Sequence, residues 1–416
     1  MLIGAFSCNP GEGSEEGAGW SWSAAAAVHH EVWLATQARY EPVIEKALAR
    51  TGLAGRLHPV YLPEVISRFE GRPPLEHQRL RYAAWQRSLV HHARRLHDEI
   101  GFDVIHHLTW SGDWFPCGLS RVAGRGPHDP AFVWGPVGGA SRPQWRIAGL
   151  VGARAFAEEA TRAVVTGAGR AAFGARHARR ADLVIAQNHD VAARFNRYGW
   201  KLMIEPNIGV DLDEIVAAKA AAPDSSGGPV AVFAGRLLIW KGVALAVAAL
   251  ARPEAARWRL HIYGSGPQET ALRRQARELG LEDRVTFFGR RPRPEVLAAV
   301  GAADVFVFPS MHDSAGWVVA EAMAAGAPVL CLDEAGPRTL VGHADGVRVP
   351  ARGDVVGALA AGFDQAARCR PNAMRWSFDR LPAIVDAAYA RAVFARRGRL
   401  GPDATRSDGL ALQDAS

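Results

Sequence analysis

Lysine is almost missing from this chain: of its 49 Lys and Arg residues, only Lys46, Lys201, Lys219 and Lys241 are lysines. In a composition that uses Arg nearly everywhere, each retained lysine marks a place where a compact ammonium would serve better than a planar guanidinium. Cysteine is as sparse. Cys8, Cys117, Cys331 and Cys369 are scattered without a CysXXCys pair or a metal-ligand spacing, which predicts reduced thiols, no disulfides and no structural zinc. There is no long uncharged apolar run, which argues against a membrane-spanning helix. The opening residues MetLeuIleGlyAlaPheSerCysAsn have no basic leader, so they are expected to form a first strand in a cytoplasmic protein. Solenoid repeats are missing, as are helix-turn-helix, zinc and RNA-binding signatures. The 49 basic residues stand against 42 acidic ones without a tight cluster, so nucleic acid is not expected as a partner.

What is present is enough for two domains. The 416 residues are 49% hydrophobic, and short β-branched runs alternate with helical stretches, the pattern of α/β units built on parallel sheets. In the first half, strands are expected at residues 1–9, 31–36, 57–61, 102–110, 132–140 and 181–187. A glycine-rich stretch at 8–20 is expected as a turn feeding a helix from Gly19 to His29, the place where doubly wound folds set a ligand crevice. The fourth strand ends in His106 and His107. Alternation along a strand sends the two rings to opposite faces, so either can be the one that meets a ligand. Residues 141–181 hold eight Arg and two acids with Trp145, Ile147, Leu150, Val151 and Phe156 interleaved, either a solvated helix pair or a basic amphipathic surface for anionic lipid.

A run of linker composition at 217–229 precedes the second half, which restarts as ProValAlaValPheAlaGlyArgLeuLeuIleTrpLysGly. Arg236 and Lys241 there lie between a strand end and a helix start, a geometry suited to a diphosphate. Farther on, Asp304–Phe308 is an apolar strand, Gly316–Ala325 a short helix opened through Asp313 and Ser314 and closed by Gly326 and Pro328, and Val329–Leu332 another strand. Glu321 is a lone carboxylate in that helix, costly to bury unless hydrogen bonds reach it, and is expected to face a cleft.

Asp313, seven residues, Glu321 and then AlaMetAlaAlaGlyAlaProVal resemble the donor-site signature of the retaining nucleotide-sugar glycosyltransferases of family 4, in the subgroup that builds bacterial polysaccharides and glycolipids. The chain departs from the family pattern with Asp313 in place of Glu and with an extra residue at Ile208 in the connection IleGluProAsnIleGlyValAsp. The resemblance implies the GT-B fold, two Rossmann-like domains with parallel sheets facing across a cleft. It implies an acceptor-binding domain at 1–205, a linker at 206–228, a nucleotide-sugar domain at 229–376, a helix at 377–396 crossing back to the first domain, and a disordered tail at 397–416. It also implies a retaining, metal-independent hexosyl transfer from a UDP- or GDP-sugar, with no cofactor, to a hydroxyl acceptor that is soluble or lipid-linked. His107, Asp313, Arg236 and Lys241 would be catalytic, with His106 the alternative sugar contact. Gly17, Gly264, Gly266, Arg290, Gly316, Trp317, Val318 and Glu321 would complete the donor site, Glu321 holding the ribose. Two competing expectations are a sugar-nucleotide epimerase on the same architecture and a non-catalytic protein that binds a nucleotide-sugar or, through its basic face, an anionic surface such as the inner leaflet of the membrane.

Overall fold

A computed structural model describes residues 1–63, 74–124, 126, 128–139, 145, 149, 152–219 and 228–398. The tail beyond Gly398, linker residues 220–227, and Arg142, Arg146, Ile147, Leu150 and Val151 of the basic stretch lie outside the described residues.

The chain divides into two compact units. The first comprises Met1–Gly139, Thr166–Gly209 and the residues from Phe378 on, and the second the stretch before Thr166 together with Val210–Ser377. Residues 152–165, expected within an acceptor domain at 1–205, thus pack with the second unit. The linker expectation also changes. Leu212–Lys219 forms a helix of the second unit, with Glu214 receiving a two-pronged contact from Arg293 at 2.8 and 3.0 Å.

The first unit is built on seven parallel strands: β1 (Leu2–Ala5), β2 (Val32–Gln37), β3 (Leu57–Leu62), β4 (Val104–Thr109), β5 (Ala131–Val137), β6 (Leu183–Ala186) and β7 (Leu202–Ile204), in the order β3-β2-β1-β4-β5-β6-β7. Every residue of β1, β4, β5 and β6 is buried, as expected for strands covered by helices on both faces. One face packs Trp22 and Tyr389 from the helices Ser14–His29 and Leu381–Arg396; the other packs Tyr82 and Trp85 of the helix Pro74–Ile100 against Phe6.

The helix after β1 begins at Ser14, inside the stretch expected as a flexible turn. Close approach is the reason. A Cβ on Gly19 would lie 1.9 Å from the Ser7 carbonyl oxygen, so the glycines let the helix press against the end of β1. Gly17 is buried in the first turns of that helix.

The second unit holds six parallel strands: β8 (Val230–Ala234), β9 (Arg259–Tyr263), β10 (Val285–Gly289), β11 (Val305–Phe308), β12 (Val329–Leu332) and β13 (Gly346–Val349), in the order β10-β9-β8-β11-β12-β13. The order reverses between β8 and β11, which is where open α/β sheets leave a crevice at their carboxyl ends. In the first unit the reversal falls between β1 and β4. Neither β7 nor β13 was expected from sequence: each is short and lies at a sheet edge.

The first unit contains a fully buried carboxylate held by two partly exposed arginines. Asp113 has no exposed side-chain surface and pairs with Arg170, 3.2 Å away, and with Arg194. Removing one member of a buried ionic group leaves its partners uncompensated, at a cost of about 3 kcal/mol. Asp113→Ala is expected to lower the unfolding free energy measured by chemical denaturation by about that much, and an unchanged value would mean that the two arginines find solvent without penalty.

Candidate functional site

The second unit gathers most of the expected donor residues along the carboxyl edge of one sheet. After β8 the chain turns through Gly235 and the exposed Arg236, then makes a single 3-10 turn, Ile239–Lys241, before the helix Val243–Leu250. After β11 it runs through Pro309 to Gly316 and enters the helix Trp317–Ala324. The two loops are laced together. Met311 N donates to the Trp240 carbonyl at 2.8 Å, and a Cβ on Gly242, whose φ is 70°, would lie 2.0 Å from the Pro309 oxygen. Only glycine permits both the left-handed turn and the contact.

Lys241 reaches across this seam to Asp313. Its Nζ donates to Oδ2, both side chains being about one-fifth exposed. Asp313 Oδ1 accepts from Gly316 N at 2.9 Å and its carbonyl accepts from Gly336 N at 2.7 Å. The carboxylate therefore braces the start of the helix as well as the lysine. Gly316 adopts φ 78° at the helix entrance, with Trp317 buried and Val318 half-buried beyond it. Arg236 makes no side-chain hydrogen bond or ion pair among the described residues. The structure thus brings Lys241 and Asp313 into one charge pair and leaves Arg236 as an exposed cation on the β8 loop.

Glu321 lies in the helix at 5% exposure, beneath the surface rather than at it. The carboxylate is not alone. Arg293 Nη1 stands 2.8 Å from its Oε1 while the same guanidinium holds Glu214. Burial raises the Glu321 carboxyl above its ordinary value, and Arg293 only partly offsets this. Arg293 is the chief residue that sequence reasoning missed. It follows Arg290 and Arg291 in ArgArgProArgPro, and nothing in that composition separates one arginine from the next; only the packing of the helix Arg293–Gly301 selects it. Arg290 is exposed at the end of β10, and Gly289 accepts from Gly264 N at 2.7 Å. Gly264 and Gly266 form the turn after β9, where Ser265 accepts from Leu237 N at 3.0 Å, so this turn buttresses the loop carrying Arg236.

The first unit treats its expected residues differently. His106 and His107 are both fully buried in β4 and point to opposite faces, as alternation requires. His106 spends both ring nitrogens inside the unit, Nδ1 on the Tyr389 hydroxyl at 2.8 Å and Nε2 on the Gly135 carbonyl at 2.6 Å. His107 Nε2 lies 3.1 Å from the Tyr82 hydroxyl, and its Nδ1 has no hydrogen-bond partner. Burial pulls the imidazoles down to about 4 and about 3, aided at His107 by nearby His177, so both are neutral. Rings this enclosed act here as packing and hydrogen-bonding groups, and the expected sugar contact is not carried forward for either. Near the first helix Glu15 accepts from Asn207 at 3.2 Å and burial lifts it to about 7, while Glu16 accepts from the Tyr40 hydroxyl at 2.8 Å.

Among the described residues no group of three or more His, Cys, Asp or Glu side chains is arranged to hold a metal ion, and no helix is long and apolar enough to cross a membrane. All four cysteines are free thiols.

A family model described as Glycosyl transferases group 1 matches residues 217–378. The D-inositol 3-phosphate glycosyltransferase of Xylanimonas cellulosilytica is 33% identical over 216 residues, 46% of this chain and 52% of that protein. The chain spans about half or less of the length of the curated relatives it matches. Among solved structures, sucrose-phosphate synthase from Thermosynechococcus elongatus aligns with a TM-score of 0.57 at 19% identity, covering 97% of this chain and 95% of that one. The Anabaena protein HepE in complex with UDP-glucose aligns with a TM-score of 0.50 at 18% identity, covering 94% and 99%. Likeness at such identity speaks for the fold, whereas the family model speaks for the unit that carries Lys241, Asp313 and Glu321. The chain therefore carries a group 1 glycosyl transferase domain over residues 217–378 and has the GT-B fold.

Proposed function

We propose that this protein transfers a hexosyl group, with retention of anomeric configuration, from a nucleotide-sugar to a hydroxyl acceptor in polysaccharide, glycolipid or related glycoconjugate synthesis. The observation that carries the reading is the Lys241–Asp313 pair at the β8/β11 reversal, one helical stretch from the buried Glu321, all within the family-matched unit. Glu321 would hold the ribose hydroxyls, and Arg236, Lys241 and the helix start near Gly316, Trp317 and Val318 would receive the diphosphate. The acceptor hydroxyl oxygen bonds to the anomeric carbon as the bond to the diphosphate breaks on the same face, and the leaving phosphate takes the hydroxyl proton. Cations fixed in place before reaction stabilise the charge that builds on that phosphate, so the reading needs no metal. Asp313 would position the sugar. HepE's complex with UDP-glucose favours a UDP-sugar, with GDP-sugars the alternative.

Incubating the protein with UDP- and GDP-sugars, alone and with membrane extract, tests this. Product only with extract supports transfer, an epimer without acceptor supports epimerase chemistry, and neither supports a binding protein.

The basic stretch favours an anionic membrane surface as the place of work. Trp145 and Phe156 of the second unit are exposed with rings 5.3 Å apart, and Val164 is exposed on the same helix as Phe156. Arg154 and Arg162 pair with Glu158 and Glu159, and Arg170 with Asp113, so less of the charge is available than composition suggests. The protein should sediment with anionic vesicles at low salt and release at high salt; no binding, or binding that ignores salt, would leave a soluble acceptor as the better reading.

Glu321 should show opposed effects on binding and stability. Glu321→Ala loses hydrogen bonds to a charged group, about 1.5 to 3 kcal/mol, and should weaken nucleotide affinity roughly 10- to 150-fold in the folded variant. Because burial holds the folded carboxyl above its ordinary value of 4.5, the unfolded chain gives up its proton first as pH rises. Folding stability is lost through that window. Glu321→Gln should therefore be more stable than the parent at neutral pH by a margin that vanishes in acid, and a pH-independent difference would contradict the assignment.

Lys241 should matter more to turnover than to donor binding, since the charge it meets grows toward the transition state. Lys241→Ala is expected to lower turnover at saturating donor by about 100-fold. Lys241→Arg keeps the charge but not its compact shape and should be partly defective. If both variants turn over like the parent, the diphosphate lies elsewhere.

A further inference from the structure

The loop from Pro309 to Gly316 is tied to a distant part of the chain through His312, the residue before Asp313. His312 Nε2 lies 2.6 Å from Glu159 Oε2, and Arg162 donates to the same carboxylate through Nη2 at 2.8 Å and Nε at 3.1 Å. Glu159 and Arg162 sit on the helix Ala153–Gly169, 153 and 150 residues ahead of His312, in the part of that helix that belongs to the second unit. The Glu159 and His312 side chains are less than one-tenth exposed. Burial alone would raise the Glu159 carboxyl, but hydrogen bonds from His312 and Arg162 prevail and hold it at about 2, so it is an anion at every ordinary pH. Burying a carboxylate and an imidazole together is costly unless their geometry is held closely.

We propose that Glu159 is a positioning residue for transfer: through His312 it fixes the loop in which Asp313 holds Lys241 and caps the Gly316 amide. The chain of contacts is short. Glu159 fixes the His312 ring, His312 is joined by one peptide bond to Asp313, and Asp313 sets both the lysine and the helix entrance. Releasing His312 lets the loop sample other conformations, and displacement of reacting groups by about 1 Å is enough to cost orders of magnitude in rate. Glu321 lies deep in the following helix and keeps its own contact with Arg293, so ribose recognition should survive. The inference rests on the transfer reading for its consequence but not for its physical core, which is the ordering of one loop.

The test uses Glu159→Gln, which keeps the size and removes the charge, His312→Asn as a second way to cut the contact, and Glu158→Gln on the exposed face as a control. Hydrogen–deuterium exchange across residues 310–316 is read alongside UDP affinity by calorimetry and turnover at saturating donor. The expected result is faster exchange confined to that loop in the first two variants. Turnover should fall about 10-fold or more while UDP affinity changes less than about 3-fold, and the double variant should be no worse than either single one. Unchanged loop exchange in both variants would overturn the proposal, as would exchange rising throughout the second unit, which is the mark of a merely structural role. If the parent itself transfers no sugar and binds no nucleotide, the transfer reading fails; loop exchange then still decides whether Glu159 orders the loop.

Discussion

Two opposite charges meeting where a parallel sheet reverses its strand order are the constraint on which the second unit depends. Lys241 comes from the loop after β8 and Asp313 from the loop after β11, and the strands are neighbours only because the chain crosses over between them. A pair with four-fifths of its surface withdrawn from water must have its remaining polar atoms satisfied. Asp313 meets that demand through Gly316 N, which donates to its second carboxylate oxygen, while Gly336 N holds its backbone carbonyl. A second cluster, Arg293 between Glu321 and Glu214, does for the helix interior what the pair does for its entrance. Both are also sources of fixed charge, which is what a nucleotide diphosphate and its ribose would meet.

Much of this was legible. Continuous apolar runs such as ValPheValPhe and ValLeuCysLeu could only be strands buried on both faces, and alternation with helices required parallel sheets. The spacing from Asp313 to Glu321 and the rarity of lysine singled out two loops, and the structure brings Lys241 and Asp313 from those loops together. The carboxylate surrounded by apolar residues was expected to face a cleft, whereas it lies buried against Arg293.

What stayed illegible has a common physical origin: partners chosen by packing rather than by local pattern. Arg293 is one of three arginines within four residues, and only its position at the start of a helix turns it toward Glu321 and Glu214. Glu159 is one of two acids among eight arginines in residues 141–181 of the sequence, and its contact with His312 emerges only because its helix segment packs with the second unit. The glycine-rich stretch after β1 read as a turn because glycine favours turns, yet here its glycines serve close packing of a helix. His106 and His107 sat where a parallel sheet exposes its ligands, but Tyr389 and Tyr82 close over them. Burial of an aromatic lid cannot be seen from the strand it covers.

The central claim is that the second unit holds the nucleotide along the edge defined by β8 and β11. A crystal structure of the protein grown with UDP tests it most directly. The account predicts ribose hydroxyls within hydrogen-bonding distance of the Glu321 carboxylate, with diphosphate oxygens at Lys241 Nζ and beside Arg236. UDP bound away from all three residues would contradict it.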